Sequence, residues 1–383
     1  MDFDLTPEQE AFRLAVREFA DEVVAPRAEE ADRAEALPMD VVRRMGEMGL
    51  FGIPFPEEYG GQGGDHVSLA IAIEEIGRVD QSLGVTLSAA AGLGAGMIHM
   101  FGSEEQKRRW LTPAARGAVL GAFAVSEPGA GSDTSAIATT ARLDGNEWVI
   151  DGTKAFTTNS GTPITGFAVV AAVTGESDGQ KEYSTIVVPA GAPGLSVAPH
   201  YRKLGWRASD THELSFRGCR VPQDNLLGER GTGLRQCLAA LDGGRVGMAA
   251  LSVGLAQACL DASLAYARER VAFGRSIGSH QAVRFKLSDM KLGVEAARLL
   301  TYRAAWLRDL GRPYMAEAAM AKLHASETAV ACAREAVQIH GGYGFIEESA
   351  VARYYRDAKV LEIAEGTSEI QRMVIARELG LPD

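Results

Sequence analysis

Along the first 119 residues, apolar positions recur every three to four residues. Phe12, Val16, Phe19 and Val23 mark one face of an opening helix. Thr6 is its expected N-cap, Pro7 suits the first turn, and Gln9 completes a capping box. Pro26 follows the last of these apolar positions. Further helices are expected at about 39–50, 67–78, 83–101 and 103–116. Between them, "PEEYGGQGG" at 56–64 lacks the Lys-Ser/Thr of a phosphate-binding P-loop and reads as a connection.

From about residue 120 the period changes. "GAFAVSEPGAGSD", "EWVIDGTKAFTTNSG", "GFAVVAAVTG", "YSTIVVPAG" and "THELSFRGCRVP" are short β-rich runs divided by Gly, Pro, Asn and Asp. With no long helix between them, they predict an antiparallel sheet or barrel. After Gly233 the helical period returns. Leu251, Leu255, Cys259, Ala262 and Tyr266 share a face, and further helices are expected at about 280–310, 314–340, 347–358 and 368–379. Gly311 before Pro313, and the Gly341-Gly342 pair, are stop signals. The predicted fold class is α+β: an N-terminal helical domain (1–119), a middle antiparallel β domain (120–230) and a C-terminal four-helix-bundle domain (231–383).

Composition narrows the class of function. At 46% hydrophobic and 23% charged residues, the chain has an ordinary globular balance. No apolar run is read as reaching the ~18 residues of a membrane span. The start, "MDFDLTPEQEAF", has no basic n-region or apolar h-region, which argues against a secretory signal. Cys219, Cys237, Cys259 and Cys332 lie far apart with no CxxC, so neither a metal site nor a disulfide framework is expected. A reducing, cytoplasmic compartment follows as the expectation. A net charge of −11 argues against nucleic acid as a partner but leaves room for a small anion held by a few arginines.

Five stretches carry candidate chemistry. "SEPGAGSD" (126–133) resembles a dinucleotide fingerprint but lacks the third glycine and the following helix, so it reads as a tight turn that a ligand could approach. In "GTKAFTTNSG" (152–161), Phe156 and Thr158 share a strand face, an apolar surface beside a hydroxyl, or an ordinary strand end. Asp242 and Arg245 stand at i, i+3 on a helix, where a surface ion pair is the default. Arg268, Arg270 and Arg275 cluster near a chain break before His280 and Gln281, and guanidinium forks suit phosphate. Then comes Glu365 in "LEIAEGTSEIQR", just before a helix capped by Thr367 or Ser368. The helix dipole favours its anion, whereas apolar neighbours raise its pKa, and the residues alone leave both open.

Taken in order, "AVSEPGAGSD", "DGTKAFTTN", "KLGWRASDTHELSF", "NLLGERGTGL", "ERVAFGRSIGSHQAVRFKLSDM", "QIHGGYGF" and "AEGTSEIQR" resemble the acyl-CoA dehydrogenase flavoproteins, nearest to their short- and branched-chain members. The resemblance spans nearly the whole chain. It implies FAD-dependent α,β-dehydrogenation of an acyl-CoA to the trans-2-enoyl-CoA, as in fatty acid β-oxidation. Glu365 would take the α-proton, flavin N5 the β-hydride, and an electron-transfer flavoprotein the electrons. It also implies a homotetramer, a dimer of dimers.

The site residues carry over from the same resemblance. Phe123, Val125, Ser126, Gly131 and Ser132 would line the flavin, and Phe156 and Thr158 would flank its ring. Arg270, Phe273, Gln281, Gln338, Gly341 and Gly342 would reach the FAD of a neighbouring subunit. Thr367 and Glu369 would touch the cofactor after the base. Ser132, Asp242, Arg245 and Gly366 would contact acyl-CoA. Three positions depart from the family pattern: Ala364 and Phe156, where Tyr and Trp are common, and Ala272, where a polar residue is common. Ala364 suggests a wider or reshaped acyl pocket. Where some relatives carry the base on an earlier helix, this chain has Gly244, leaving Glu365 as the candidate. An acyl-CoA oxidase, and a dehydrogenase of a carrier-protein-bound acyl group, share this chemistry. A non-catalytic flavin scaffold is disfavoured by the retained glutamate.

Overall fold

The computed structural model describes residues 3–177 and 179–381. Helix α1 (Pro7–Phe19) opens with the expected capping box: Thr6 accepts from the Gln9 N–H, and the Gln9 side chain returns to Thr6. The helix does not stop at Pro26. A π-helical turn (Ala20–Val24) leads into α2 (Ala25–Ala34), where Pro26 occupies the first turn and needs no N–H. After α3 (Met39–Glu47), Asp65 caps α4 (His66–Val79) and Asp80 caps α5 (Gln81–Leu87). A π-helical segment (Ser88–Ala95) joins α5 to α6 (Gly96–Phe101). Short α7 (Glu104–Gln106) and α8 (Thr112–Ala115) finish this part.

Eight strands form one sheet: β1 (Leu120–Ala124), β2 (Thr140–Asp144), β3 (Glu147–Thr158), β4 (Thr165–Ser177), β5 (Gln180–Pro189), β6 (Leu195–Val197), β7 (Thr211–Pro222) and β8 (Leu226–Leu227). Their order is β6-β7-β3-β2-β4-β5-β8, with β1 also on β4. The sheet is mixed, not purely antiparallel as the short strands suggested. Strand β1 pairs with β4 in parallel, and β2 touches β4 in parallel at Thr140 and Val173. The reason is the entry route: β1 comes straight from the helical part and lies beside the π-helical segment. A Cβ on Gly94 would stand 2.4 Å from the Gly121 carbonyl oxygen, so this contact requires a glycine at 94.

The remainder is helical. A long α9 (Gly233–Glu269) ends in a hairpin of β9 (Val271–Ala272) and β10 (Arg275–Ser276). Then follow α10 (Gln281–Asp309), α11 (Met315–His340), α12 (Ala350–Leu361) and α13 (Ser368–Glu378). Helices α9, α10 and α11 pack on one another, with α12 as a shorter fourth member and α4 also against α9. One apolar core, including Ile73, Leu251, Leu255, Val294 and Ala325, runs through both helical parts.

The reading that no apolar run reaches span length needs correction. Gln81–Phe101 and α9 both contain 18-residue windows of mean hydropathy 1.4. Those windows are 83% and 72% buried inside the protein, as expected for core helices apolar on every side.

Candidate active site

Helix α12 ends at Leu361 and α13 begins after Thr367, whose hydroxyl accepts from the Ile370 N–H. The turn between them carries two consecutive left-handed residues, Glu365 (φ 54°) and Gly366 (φ 96°). For glutamate this conformation costs about 1–2 kcal/mol. Six non-glycine residues among those described have positive φ, and three of them, Phe156, Phe273 and Glu365, are site candidates from the sequence. Half of the strained non-glycine positions among the described residues therefore fall where chemistry was expected.

Two donors hold the turn. The Lys322 ammonium (2.7 Å) and the Gln371 amide (2.8 Å) both donate to the Gly366 carbonyl. Both side chains are fully buried. Glu365 points back across the bundle onto α9. A Cβ on Gly244 would lie 1.9 Å from Glu365 Oε2 and 3.1 Å from Leu93 Cδ2. Glu365 Oε2 is inaccessible and has no hydrogen-bond partner among the described residues. Burial pushes this carboxyl up to about 7, against the charges of Lys322 and Arg245, which pull it down. Of the two opposed influences left open by the sequence, burial prevails.

Arg245 corrects the surface reading of its ion pair. It is 5% exposed, with Nη1 2.6 Å from Asp242 Oδ1 and Nε without a partner among the described residues. Burial raises the Asp242 pKa, and Arg245 and Arg308 oppose the rise. The i, i+3 spacing was right, but the face it occupies is turned inward.

A second group lies on the sheet. The "SEPGAG" segment is a tight turn closed by reciprocal bonds between Glu127 and Ala130. Beneath it, Lys154 Nζ donates to Glu127 Oε1 (2.7 Å) and to the Val125 carbonyl (3.0 Å), and Glu127 also accepts the Ala138 and Thr139 N–H groups. Burial alone would raise the Glu127 pKa, but Lys154 and these N–H groups hold it below the usual range. The upper side is open: a Cβ on Gly129 or Gly131 would meet nothing within 4 Å, and Ser132 is exposed. Ser126 accepts the Ala155 N–H through its carbonyl, which ties the turn to β3. On β3 a bulge after Lys154 throws Phe156 outward, 68% exposed, with its ring 5.1 Å from that of Tyr201. Thr158 lies two residues on, half-buried. Phe123 packs on the same apolar cluster as Leu93, and Leu93, like Glu365, lies against Gly244.

A third group stands apart. Arg270, Gly341 and Gly342 line a cavity of about 490 Å³ together with Tyr266, Ile277 and His340. Phe273, at the tip of the β9–β10 hairpin, is 96% exposed, and Gln281 and Gln338 are exposed as well. No hydrogen bond, ion pair or ring contact among the described residues joins these residues to Ser132, Phe156 or Glu365. Glu369 is exposed, and its own N–H and the Thr367 hydroxyl lower its pKa.

Sequence reasoning missed Lys322, Gln371, Leu93 and the Lys154–Glu127 pair. Lys322 did leave a signal. Ala318, Ala325 and Ala329, at i−4, i+3 and i+7, are all fully buried, so the lysine sits within the buried stripe of α11.

Comparisons with known proteins agree with this fold. Family models described as the acyl-CoA dehydrogenase N-terminal, middle and C-terminal domains match residues 6–118, 122–219 and 231–380. The chain is 45% identical over 379 residues to the short-chain specific acyl-CoA dehydrogenase of Clostridium acetobutylicum, covering 99% of this chain and 100% of that one. A chain solved in work on the electron transferring flavoprotein of Acidaminococcus fermentans superposes with a TM-score of 0.96 at 44% identity, covering 99% of each. Butyryl-CoA dehydrogenase from Megasphaera elsdenii gives 0.96 at 39% identity, covering 99% of this chain and 100% of that one. The chain belongs to the acyl-CoA dehydrogenase family and is an oxidoreductase. FAD is the family's cofactor. The residues fit it: an open glycine turn beside an exposed aromatic on the sheet, and a cavity with Arg270 and two bare glycines suited to phosphate.

Proposed function

We propose that the protein dehydrogenates a short-chain acyl-CoA to the trans-2-enoyl-CoA, with Glu365 as the base. One observation carries this reading: Glu365 Oε2 is buried, unpartnered and drawn toward neutrality in its pKa, on a turn whose strain aims it over Gly244. A carboxylate of pKa about 7 is a far stronger base than an ordinary one, yet is still half ionised at neutral pH. The α-proton beside a thioester is very weakly acidic, so the forming enolate needs donors. Among the described residues no backbone carbonyl accepts from the Glu365 N–H, which leaves that donor for the thioester oxygen. Gly244, lacking a Cβ, leaves room on α9 for the Glu365 carboxylate itself, with Leu93 beside it. Bound FAD supplies the acceptor for the β-hydride.

Around this centre, Phe123, Val125, Ser126, Gly131, Ser132, Phe156 and Thr158 form the flavin side. Arg270, Phe273, Gln281, Gln338, Gly341 and Gly342 serve the cofactor of a neighbouring subunit, consistent with their separation from the first group. Thr367 and Glu369 touch the cofactor beyond the base. Ser132, Asp242, Arg245 and Gly366 face the acyl-CoA. Sharing a cofactor between subunits requires an oligomer, and α10 offers a surface for one. Phe285, Leu292, Leu299 and Trp306 repeat every seven residues and are 47–70% exposed. We take the assembly as a homotetramer of three-domain protomers (1–119, 120–230, 231–383) in the cytoplasm, with an electron-transfer flavoprotein as acceptor. The short-chain substrate is supported by the Clostridium and Megasphaera relatives, and the acceptor by the Acidaminococcus one.

Anaerobic titration with butyryl-CoA tests the reading. The wild-type flavin bleaches, whereas the Glu365→Gln holoenzyme keeps its yellow flavin unreduced. Bleaching of that variant at the wild-type rate removes Glu365 from the role.

A further inference from the structure

We propose that Lys322 is the positioning residue of the base. From the buried stripe of α11, its ammonium fixes the Gly366 carbonyl and keeps Glu365 competent to take a proton. This rests on the reading of Glu365 as the base.

The placement of Lys322 is costly without such a role. It is 0% exposed, and its hydrogen bond is to a neutral carbonyl. Among the described residues no carboxylate lies within ion-pair distance of it. A buried ammonium without a paired anion is strongly disfavoured. A methionine on the same buried stripe would have no charge to desolvate. The cost therefore points to a use for the charge.

That use is at the neighbouring turn. Glu365, Glu362 and Glu369 face Lys322 from the turn and α13, and Arg245 faces it from α9. The cations that act on Glu365 are Lys322 and Arg245, and Arg245 is already engaged by Asp242. Lys322 thus brings a positive charge that no ion pair of its own neutralises. Burial pulls its ammonium down to about 8, opposed chiefly by Glu365, so it is still mainly cationic at neutral pH. The cation favours the carboxylate form of Glu365, and without it burial holds that carboxyl protonated to higher pH. In the same contact, Lys322 and Gln371 clamp one carbonyl from two sides and stabilise a turn with two left-handed residues. Gln371 contributes hold without charge, which separates the two effects.

The test uses holoenzyme and the pH profile of kcat/KM with butyryl-CoA. Lys322→Met and Lys322→Gln should both move the acid limb upward by about one pH unit or more. At pH 6.5 they should lose roughly tenfold in kcat/KM and recover most of it at pH 9. Lys322→Arg, which keeps the charge, should leave the limb in place. Gln371→Ala should lower kcat without moving it. A limb unmoved in both neutral variants overturns the proposal, as does a uniform loss at all pH values. If a neutral variant fails to hold FAD, the other decides, because Gln keeps a donor for Gly366. If neither holds FAD while Lys322→Arg does, the residue is a structural clamp and the proposal falls. Glu365→Gln runs in parallel. Its turnover would refute the base itself, whereas its inactivity with an unmoved limb would refute only the role of Lys322.

Discussion

Two lysines, Lys154 under the glycine turn and Lys322 under the base turn, are both fully buried, yet they live in opposite environments. Lys154 meets Glu127 at 2.7 Å, and that carboxylate also holds two backbone N–H groups. Its charge is spent on fixing a loop. Among the described residues Lys322 donates to a carbonyl and to no carboxylate, and its charge stays available to Glu365. One buried cation is neutralised and structural, and the other is left to act at a distance. The same contrast separates the carboxylates: Glu127 is held below the usual range, and Glu365 is pushed up to about 7.

The comparison breaks first at Lys154. Lys154→Met leaves Glu127 buried without its cation and should destabilise the fold by about 3–5 kcal/mol, read by urea denaturation. FAD should be lost on gel filtration as the turn loosens. Next comes Gly244→Ala. Its Cβ would fall 1.9 Å from Glu365 Oε2 and must displace the carboxylate. A misplaced base should lower kcat/KM about 100-fold with the flavin still bound.

A third prediction sharpens the contrast through stability. The folded pKa of Glu365 is raised from an ordinary 4.5 to about 7, so the folded state binds more protons between those values. Its contribution is fully present below pH 4.5 and is lost as pH rises through 7. Glu365→Gln should therefore stabilise the protein at pH 8 by about 1–3 kcal/mol relative to its effect at pH 4.5. Melting temperatures at the two pH values check the sign. The smallest effect is expected at the separate third group, where Arg270→Ala should weaken FAD retention about tenfold, measured by flavin release on dilution.

The helices, the strands and their order as helix, sheet, helix were legible because their periods differ. The capping box at Thr6 and the glycine stops were legible too. Alternation along a strand does not report its neighbour's direction, so the parallel pairing of β1 with β4 was hidden. Spacing placed Asp242 and Arg245 on one face, but i, i+3 is the same on an inward face as on an outward one. The bulge that exposes Phe156 at positive φ left no mark in its residues. The contact of Glu365 with Gly244 joins two remote helices, and only tertiary packing creates it. Resemblance named Glu365, and the packing that buries its carboxyl is what the proposed base requires.

The most direct measurement is the pH dependence of kcat/KM with butyryl-CoA for the wild type and Glu365→Gln. The expected wild-type profile rises through an acid limb centred near pH 7, the folded pKa of Glu365, and the variant shows no such rise. A flat wild-type profile across that region, or the same limb in the variant, contradicts the assignment of the base.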